Sequence, residues 1–430
     1  MCLKLSKWFF LLLIVSLPLV RPFNLFLFDL QVPYTDLIFL LAFAFWVLAL
    51  ILRQTSMRSD RLFIFVGLYA LAFTISTIFS LDSKTSFFKL LGEYYLFALC
   101  FLTFNLCRDL KFLKQIGFAW LTGTVVTIIA SLVGILIFYL GLKTQSDNYL
   151  LSHLGSLPSG DYPRIRALFE NANMMCNFLN VSIVFAFLAE RLGWLKRTPA
   201  RIVQLGVIAA SLFTISPGLG GIALSTGLWY WTLFSNKSRR PFARSALLSG
   251  AVFAAVFFVA VLVSPDTQNT EQEIRLPFTN TTIEVSVRVL VWENTVGTFV
   301  KHPWVGKGTG TNVAEVKYQA MSGDNQILLE AHNVWLNVLG QTGLIGIAAL
   351  LLMTAYLLSL CRFKARADTD VQYVRIALSC AFVGAFLYQG LAGSFEDARH
   401  LWILFGLMAA FSGSEINASA SDISEASKAP

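Results

Sequence analysis

The residues best suited to chemistry lie near the carboxyl end of the chain, where His332 and Asn333 precede a long apolar segment. The positive end of a helix beginning there disfavours imidazolium, and a neutral imidazole can accept a proton from a hydroxyl group. A single histidine at such a boundary is also commonly a structural hydrogen-bonding group. On these residues alone, both interpretations stand.

Three arginines lie in polar segments that precede this histidine. Arg288 and Trp292 lie one helical turn apart in the segment Ile283–Val300, which is predicted to form an amphipathic helix on a membrane surface or over a cavity. Arg164 and Arg166 lie in an earlier polar loop. The alternative for Arg288 is a side chain that only extends to lipid phosphates. The apolar residues at helical spacing in the amphipathic segment are Val285, Val289, Trp292, Val296 and Phe299.

The predicted amphipathic helix is followed by a turn-rich segment, His302-Pro-Trp-Val-Gly-Lys-Gly308. Its glycines could present backbone N–H groups to an anion, but the segment lacks the strand, helix and Lys-Ser/Thr context of a nucleotide-binding loop. A tight turn that directs the chain is therefore the favoured interpretation. Further along, Gly340, Gly343 and Gly346 are spaced by three, which favours the close approach of a neighbouring segment.

The elements that must position these residues are predicted to be membrane helices. Hydrophobic residues make up 56% of the 430-residue chain and charged residues 13%, and the mean hydropathy is +0.66, far outside the composition of soluble domains. About twelve apolar runs recur along the chain, most near the length that crosses a bilayer. The predicted spans are Trp8–Phe28, Tyr34–Leu52, Leu62–Ser80, Leu90–Leu106, Phe112–Leu140, Phe169–Glu190, Ile202–Ser216, Gly220–Phe234, Ser245–Ser264, Val334–Leu360, Ile376–Leu391 and His400–Phe411.

The distribution of lysine and arginine predicts the orientation of these helices. Of the 33 cationic residues, 21 fall in one alternating set of loops, and cation-rich loops are retained on the cytoplasmic side. Both termini are therefore predicted to be cytoplasmic, with His332 and the arginines named above on the outer side. This topology also explains most of the net charge of +8, so we predict membrane lipids as partners and no nucleic acid.

The chain divides into four parts on this basis. Residues 1–264 are predicted to hold transmembrane helices 1–9, with a short outer loop at 141–168. Residues 265–333 form a large, partly helical outer loop, residues 334–411 hold helices 10–12, and residues 412–430 are a disordered cytoplasmic tail. The four histidines lack the close cysteine or carboxylate spacing of a zinc site, so no metal is expected.

Taken together, these features resemble the O-antigen ligase and polymerase superfamily, and the resemblance covers most of the chain. It rests on the helix number, the large outer loop near the carboxyl end, the Arg288/Trp292 pair and the His302-Pro turn with its two glycines. The pair His332-Asn333, followed after a nine-residue gap by Gly-x-x-Gly, resembles the ligase signature.

A second matching segment is Arg-Ile-Arg-Ala-Leu-Phe-Glu-Asn-Ala-Asn, at residues 164–173. It resembles the family's Arg-x-x-Gly-x-Phe-x-Asn-Pro-Asn, with Arg164 in the place of the arginine. The chain departs from that pattern at Ala167 and Ala172, where the family usually has glycine and proline, so Arg166 remains an alternative. A further departure is Pro217, which follows Ser216 where many relatives have arginine.

The resemblance implies a GT-C-like fold, an all-α polytopic transmembrane helix bundle whose large periplasmic loop lies between helices 9 and 10. It implies a glycosyltransferase in the bacterial inner membrane with a periplasmic active site. The donor would be a glycan on undecaprenyl pyrophosphate and the acceptor the lipid A core, with no cofactor or metal and with inversion at the anomeric carbon. His332 would act as general base and three arginines would bind pyrophosphate, with further residues in support: Arg288, Arg164 and Arg166, then Asn333, Trp292 and His302.

Two alternatives remain beside the ligase. The first is a polymerase of the same superfamily, which joins lipid-linked repeat units to each other; the motif after His332 favours the ligase. The second, from a different class, is a membrane transporter. Transporters often carry repeated halves and broken helices that meet at mid-membrane, whereas the polar residues of this chain concentrate at one face and in one loop.

A smaller polar cluster precedes the last predicted span, at Glu396, Asp397, Arg399 and His400. The favoured interpretation is a salt-bridged cap on that helix, with an acidic residue near its N-terminus. The alternative is that the cluster lines the entrance for the acceptor.

Overall fold

Long apolar helices make up most of the protein in the computed structural model. The structure describes residues 1–20, 24–27, 30–141, 150–152, 156–157, 160–161, 163–233, 240–262, 273–275, 282–284, 288–319, 325–363 and 369–412. Within these ranges the thirteen α-helices are α1 (Cys2–Ser16), α2 (Tyr34–Ile51), α3 (Leu62–Ile78), α4 (Ser83–Leu106), α5 (Leu110–Tyr139), α6 (Ala172–Arg191), α7 (Arg197–Leu212), α8 (Leu219–Leu233), α9 (Arg240–Leu262), α10 (Arg288–Lys301), α11 (Val334–Leu360), α12 (Asp370–Phe382) and α13 (Arg399–Ala410).

Strands are confined to short antiparallel pairs in the described residues. Each pair joins two strands only, so none provides a sheet core. The pairs are β1 (Asn24–Leu27) with β2 (Leu30–Pro33), β3 (Leu151–Ser152) with β6 (Arg164–Ile165), β4 (Ser156–Leu157) with β5 (Gly160–Asp161), β7 (Glu273–Arg275) with β8 (Thr282–Glu284), and β9 (Val316–Gln319) with β10 (Asn325–Leu328).

Six of the described helices are long and apolar enough to cross a bilayer: α2, α4, α5, α6, α11 and the segment Asp370–Leu391. This last segment is α12 continued through a π-helical turn, Val383–Tyr388, and a 3-10 turn, Gln389–Leu391. Shorter apolar helices lie at Leu62–Ile78, Pro241–Val256 and Arg399–Ala410. The protein is therefore a polytopic helical membrane protein, while the number of twelve spans and the GT-C-like class stay predictions.

Helix α6 lies at the centre of the bundle. Nearly all of its side chains are buried, and it packs against α5, α7, α8 and α12. Helices α2, α5 and α11 lie outside it and leave many large apolar side chains exposed, as expected of surfaces that face lipid tails. The start of α6 and its last turn are consequently fixed points at opposite ends of the bundle, about 30 Å apart.

Two sequence predictions about individual helices were wrong. The first predicted span, Trp8–Phe28, ends as a helix at Ser16, because Pro18 has no backbone N–H with which to continue the helical hydrogen-bond ladder. In α10 the predicted face included Val296, which is 44% exposed, whereas Val291 and Thr295 are fully buried. The face with the smaller side chains packs on α11, because Thr295 lies directly opposite Gly340, where a larger side chain would not fit.

Helix α11 is interrupted at Gly343, and the turn after α10 is inserted at the interruption. Gly343 has φ +63°, which breaks the helical hydrogen-bond ladder. Four backbone N–H groups bond across the two segments: Lys307 to Gly340 O (3.0 Å), Gly308 to Gln341 O (3.1 Å), Leu344 to Pro303 O (2.8 Å) and Ile345 to Trp304 O (3.3 Å). The close approach predicted from the glycine spacing is confirmed at Gly340 and Gly343. This insertion fastens α10 and its neighbouring loop to a membrane helix.

Replacement of Gly343 by alanine is expected to destabilise the protein by at least about 2 kcal/mol. The positive φ disfavours any Cβ, and a Cβ here would lie 2.6 Å from backbone atoms of Trp304 and Gly306, which cannot rotate away. The thermal midpoint of the purified protein in detergent measures the effect. Gly67→Ala, on the open face of α3, is the matched control and should leave the midpoint nearly unchanged or slightly raised. Equal midpoints for the two variants would contradict the proposed packing.

Candidate active site

His332 lies between β10 and α11, in a backbone conformation that few residues adopt. Its φ is +48°, in the left-handed region where a side chain other than glycine is disfavoured. The next residue, Asn333, is the N-cap of α11, and its Oδ1 accepts hydrogen bonds from the backbone N–H of Trp335 (3.0 Å) and Leu336 (3.1 Å). The cap sets the direction of α11, and the left-handed residue before it turns the chain toward the site. Such strain is common where a side chain must be aimed.

The residue before His332 is held on both sides of its backbone. The indole Nε1–H of Trp292 donates to the carbonyl of Ala331 at 2.9 Å, and the Ala331 N–H donates to Asn337 Oδ1 at 3.3 Å. Ala331 itself is fully buried. Since Trp292 lies on α10 and Asn337 on α11, the backbone at His332 is fastened between these two helices.

Asn337 and Glu396 support this arrangement, and sequence reasoning missed both roles. The side-chain amide of Asn337 donates to Glu396 Oε1, and both residues are buried. Burial, and then the neighbouring Asp397, raise the pKa of the Glu396 carboxyl to about 8. A signal for Asn337 was available, since it is a polar residue one turn after Asn333 in an otherwise apolar span.

The predicted cap on the last helix was wrong in its partners. The N-cap of α13 is Ala398 and makes no side-chain hydrogen bond. Arg399 instead forms a bidentate ion pair with Asp36 on α2, both bonds 2.9 Å, and Asp397 pairs with Lys89 on α4 at 2.8 Å. The charges tie α13 to other helices because long side chains in a bundle can reach neighbours more readily than their own helix end.

Arg164 is oriented by two neighbouring elements. Its Nε donates to the Thr214 carbonyl at 3.0 Å, at the turn after α7, and its Nη2 donates to Asn173 Oδ1 at 3.1 Å, in the first turn of α6. The cap of α6 is Asn171, whose Oδ1 accepts the Met174 N–H at 2.8 Å. The two asparagines of the matching segment therefore differ in role: one begins the helix and the other holds the arginine.

Ala167 shows why glycine is usual at this position of the segment. Its φ is +46°, a left-handed conformation that glycine adopts at no steric cost and alanine only with strain. The turn still forms, because the Ala167 side chain is completely buried and its N–H is bonded to Leu150 O at 3.1 Å. The departure from the family's pattern therefore leaves the Arg164 segment in place.

Electrostatics link His332, Arg288 and Arg164 into one site. Burial, and then the charge of Arg288, lower the pKa of the His332 imidazole to about 4. Burial, and then the charge of Arg164, lower the pKa of the Arg288 guanidinium to about 10. A geometric link joins two of them: Arg288 lies one turn before Trp292 on α10, and the Trp292 indole is bonded to Ala331, the residue before His332. The imidazole is neutral at pH 7, as the sequence led us to expect, although burial and Arg288 account for this rather than the helix start.

The remaining predicted site residues are less closely connected to this group. The Arg166 N–H donates to Leu150 O at 3.0 Å, and its charge is not among the causes that shift the pKa of Arg288. His302 follows the last turn of α10, about 20 Å along that helix from Arg288. The charge of Arg164 is thus among the causes that lower the pKa of Arg288, and His302 lies at the end of α10 opposite to Arg288.

The turn that begins at His302 uses its backbone N–H groups within the protein. Gly306 N–H donates to His302 O (3.0 Å), and the Lys307 and Gly308 N–H groups bond to carbonyls of α11. These groups are thus engaged by protein acceptors rather than presented to an anion. The interpretation of the segment as a chain-directing turn is confirmed.

Comparison with known families gives a match to residues 202–351, which fit the family model described as O-Antigen ligase. This match, over 150 of the 430 residues, supports the resemblance to the O-antigen ligase and polymerase superfamily. The matched residues run from α7 into α11 and include Arg288, Trp292, His302, His332 and Asn333. A search of curated proteins gave no match.

The superfamily match and the geometry are independent observations about the same residues. The match does not reach Arg164, which precedes residue 202, yet the charge of Arg164 is one cause of the lowered pKa of Arg288. The match supports a membrane function of the O-antigen ligase or polymerase type. Among the described residues, no three His, Cys, Asp or Glu side chains are grouped to hold a metal ion; the expected absence of a metal stays a prediction.

The indole of Trp292 offers a test of how the protein positions His332. Trp292→Phe keeps an aromatic ring but removes the bond to the Ala331 carbonyl, which is worth about 1 kcal/mol. If this bond aims His332, turnover should fall about tenfold with little change in the thermal midpoint. Trp304→Phe is the matched control, because that indole is 68% exposed. Equal turnover in the two variants would show that the indole does not position the site.

Proposed function

We propose that the protein is an O-antigen ligase, which transfers a glycan from undecaprenyl pyrophosphate to the lipid A core at the periplasmic face of the bacterial inner membrane. His332 is the general base, and Arg288 and Arg164 bind the pyrophosphate of the donor. Both termini are cytoplasmic in this proposal. The observation that carries it is a half-buried imidazole whose backbone is held by Trp292 of the Arg288 helix, and whose pKa is lowered by burial and by Arg288.

The reaction begins with the acceptor hydroxyl beside the His332 imidazole. As the hydroxyl oxygen attacks the anomeric carbon of the donor, its proton passes to the unprotonated ring nitrogen. A carbon–oxygen bond forms, and the bond from the anomeric carbon to the pyrophosphate oxygen breaks on the opposite side. The configuration at that carbon is therefore inverted, and the electron pair leaves with the pyrophosphate.

The arginines stabilise the charge that develops on the leaving group. A guanidinium donates two parallel hydrogen bonds to a phosphate, and two arginines together match the several negative charges of a pyrophosphate. In the free protein their like charges oppose each other, as the lowered pKa of Arg288 indicates. An anionic donor relieves that repulsion, so the same feature that costs energy in the free site favours binding of the donor.

Transfer assays with the purified protein distinguish the ligase from the alternatives. Undecaprenyl-pyrophosphate glycan is incubated with the wild-type protein, with and without a lipid A core acceptor, and the glycan is followed by gel. Transfer to the core supports the ligase. Lengthening of the glycan without the core would identify a polymerase instead, and no transfer under either condition would favour a transporter.

The pH dependence of the reaction follows from the shifted pKa of His332. A general base must be unprotonated to act. The titration of His332 should therefore leave kcat/KM unchanged between pH 6 and 8, and kcat/KM should fall as the pH decreases through about 4. Arg288→Gln removes the neighbouring charge and should move this acidic limb toward higher pH, whatever its effect on the absolute rate. The pH profile of each protein is the measurement. An acidic limb at the same pH in both proteins would contradict the coupling between the two residues.

A further inference from the structure

A second cavity lies at the end of the bundle opposite to the candidate active site. It has a volume of about 350 Å³ and is lined by the last turns of α6 and α8 and the first turns of α7. Arg164 is bonded to the first turn of α6, whereas this cavity adjoins Arg191, the last residue of that helix. The length of α6 therefore separates the two sites by about 30 Å.

One wall of the cavity is cationic. The cavity is lined by three arginines and a single carboxylate, Glu190, so this part of the lining carries a net charge of +2. The arginines are Arg191, Arg197 and Arg201. Arg197 and Arg201 approach Glu190 at only 3.9 and 3.8 Å and are 67% and 53% exposed, so Glu190 neutralises them incompletely. Gln204 already donates to Glu190 at 2.8 Å. The single carboxylate therefore leaves positive charge on this wall that an anionic ligand can neutralise.

Arg191 is held rigidly at the same wall. Its guanidinium donates to the hydroxyl of Tyr373 on α12 and lies over that ring, 4.3 Å from the ring centroid. A stacked arginine keeps its charge and loses little further freedom when an anion arrives. The cavity is therefore prepared for a ligand by contacts between α6 and α12.

The rest of the cavity lining is mostly aromatic. Phe187 stacks on Trp229 with ring centroids 6.2 Å apart, and Tyr230 meets Phe187 edge to face at 5.5 Å. Leu233 adds an aliphatic side chain to this lining. Tryptophan and tyrosine favour the membrane–water interface, where one side of a ligand is apolar and the other is hydrated. A lining that is both cationic and aromatic fits an amphiphile better than a fully soluble anion.

We propose that this cavity binds the headgroup of an anionic phospholipid from the leaflet opposite to the candidate active site. The arginines bind the phosphate, and the aromatic lining contacts the glycerol and the upper acyl chains. Basic pockets between membrane helices bind anionic lipid headgroups by this combination of charge and apolar contact. The binding holds the ends of α6, α7 and α8 together and does not depend on which reaction the other face performs.

Native mass spectrometry of the delipidated protein tests the proposal. Phosphatidylglycerol is titrated into the wild-type protein and into the double variant Arg197→Gln/Arg201→Gln. We expect the affinity for one tightly bound lipid to fall about thirtyfold in the variant, because each cation contributes roughly 1 kcal/mol to binding. The control is Lys111→Gln/Lys114→Gln, which removes two exposed charges at the start of α5 that are not part of the cavity lining. A second variant, Glu190→Gln, removes the competing carboxylate and should strengthen binding.

Several results would overturn the proposal. Equal weakening by the lysine pair would indicate an effect of overall charge, and unchanged binding in the arginine pair would exclude the cavity. Phosphatidylcholine bound as tightly as phosphatidylglycerol would exclude selection for an anionic lipid. Inorganic phosphate that displaces the lipid at micromolar concentration would identify a soluble anion as the ligand. Glycan transfer is not among these readouts, so the failure of the proposed function would leave this test unaffected.

Discussion

Replacing His332 with alanine is expected to lower glycan transfer about 10²- to 10⁴-fold, while donor binding changes little. The proposed role of His332 is to accept the proton of the attacking hydroxyl, an interaction that grows only as the transition state forms. Its lowered pKa keeps the ring unprotonated at neutral pH and ready for that role. Turnover and donor affinity, measured separately on the purified protein, check the expectation.

Two further variants make this test specific. Because His332 has φ +48°, alanine adds backbone strain, whereas asparagine tolerates the left-handed region but cannot act as the base. His332→Asn should therefore lose as much activity as His332→Ala while keeping the wild-type thermal midpoint. His302→Ala, at the far end of α10, should remain close to wild type. Wild-type transfer by His332→Asn would end the proposed role of the histidine.

Replacing Arg288 with glutamine is expected to lower kcat about 10²- to 10³-fold and also to weaken donor binding. The charge of Arg288 acts on His332 and is itself opposed by Arg164, and in the proposed mechanism Arg288 binds the leaving pyrophosphate. Glutamine keeps a donor but loses the charge and the bidentate geometry. Arg288→Lys should recover part of the loss because the charge returns without the planar fork. Steady-state kinetics with varied donor concentration separate the two effects.

Lys301→Gln is the matched control for this experiment. Lys301 lies in the last turn of the same helix and is exposed, so its charge acts far from Arg288 and its removal should leave kinetics unchanged. A loss of activity equal to that of Arg288→Gln would point to the charge of the helix as a whole. Unchanged donor binding in Arg288→Gln would instead mean that Arg164 or another cation holds the pyrophosphate.

Much of the framework is predictable because it depends on local patterns. The apolar run Val334–Leu360 was predicted as a span and forms α11 with the same bounds, since hydropathy and an N-cap asparagine both act over a few residues. The amphipathic helix after residue 283 begins at Arg288, and Val285 lies outside the described residues. Helices of this kind are recognisable from one short window of sequence.

The choice between Arg164 and Arg166 was not predictable in this way. The two residues are neighbours on the same segment with identical chemistry, so no periodicity separates them. The structure distinguishes them through Thr214 and Asn173, which bond to Arg164 from elements distant in the chain or across a turn. Only the folded positions of α6 and of the turn after α7 supply that information.

The sequence by itself determined that this is a polytopic helical membrane protein and where most of its described helices run, because hydropathy, capping residues and prolines act locally. It also singled out the histidine and arginines of the candidate site. The tertiary structure decided how they are held: the insertion of the His302–Gly308 turn at Gly343, the anchoring of Ala331 by Trp292 and Asn337, and the pairing of Arg399 with Asp36. These contacts join residues far apart in the chain or on different helices, and their energies depend on packing that no single segment contains.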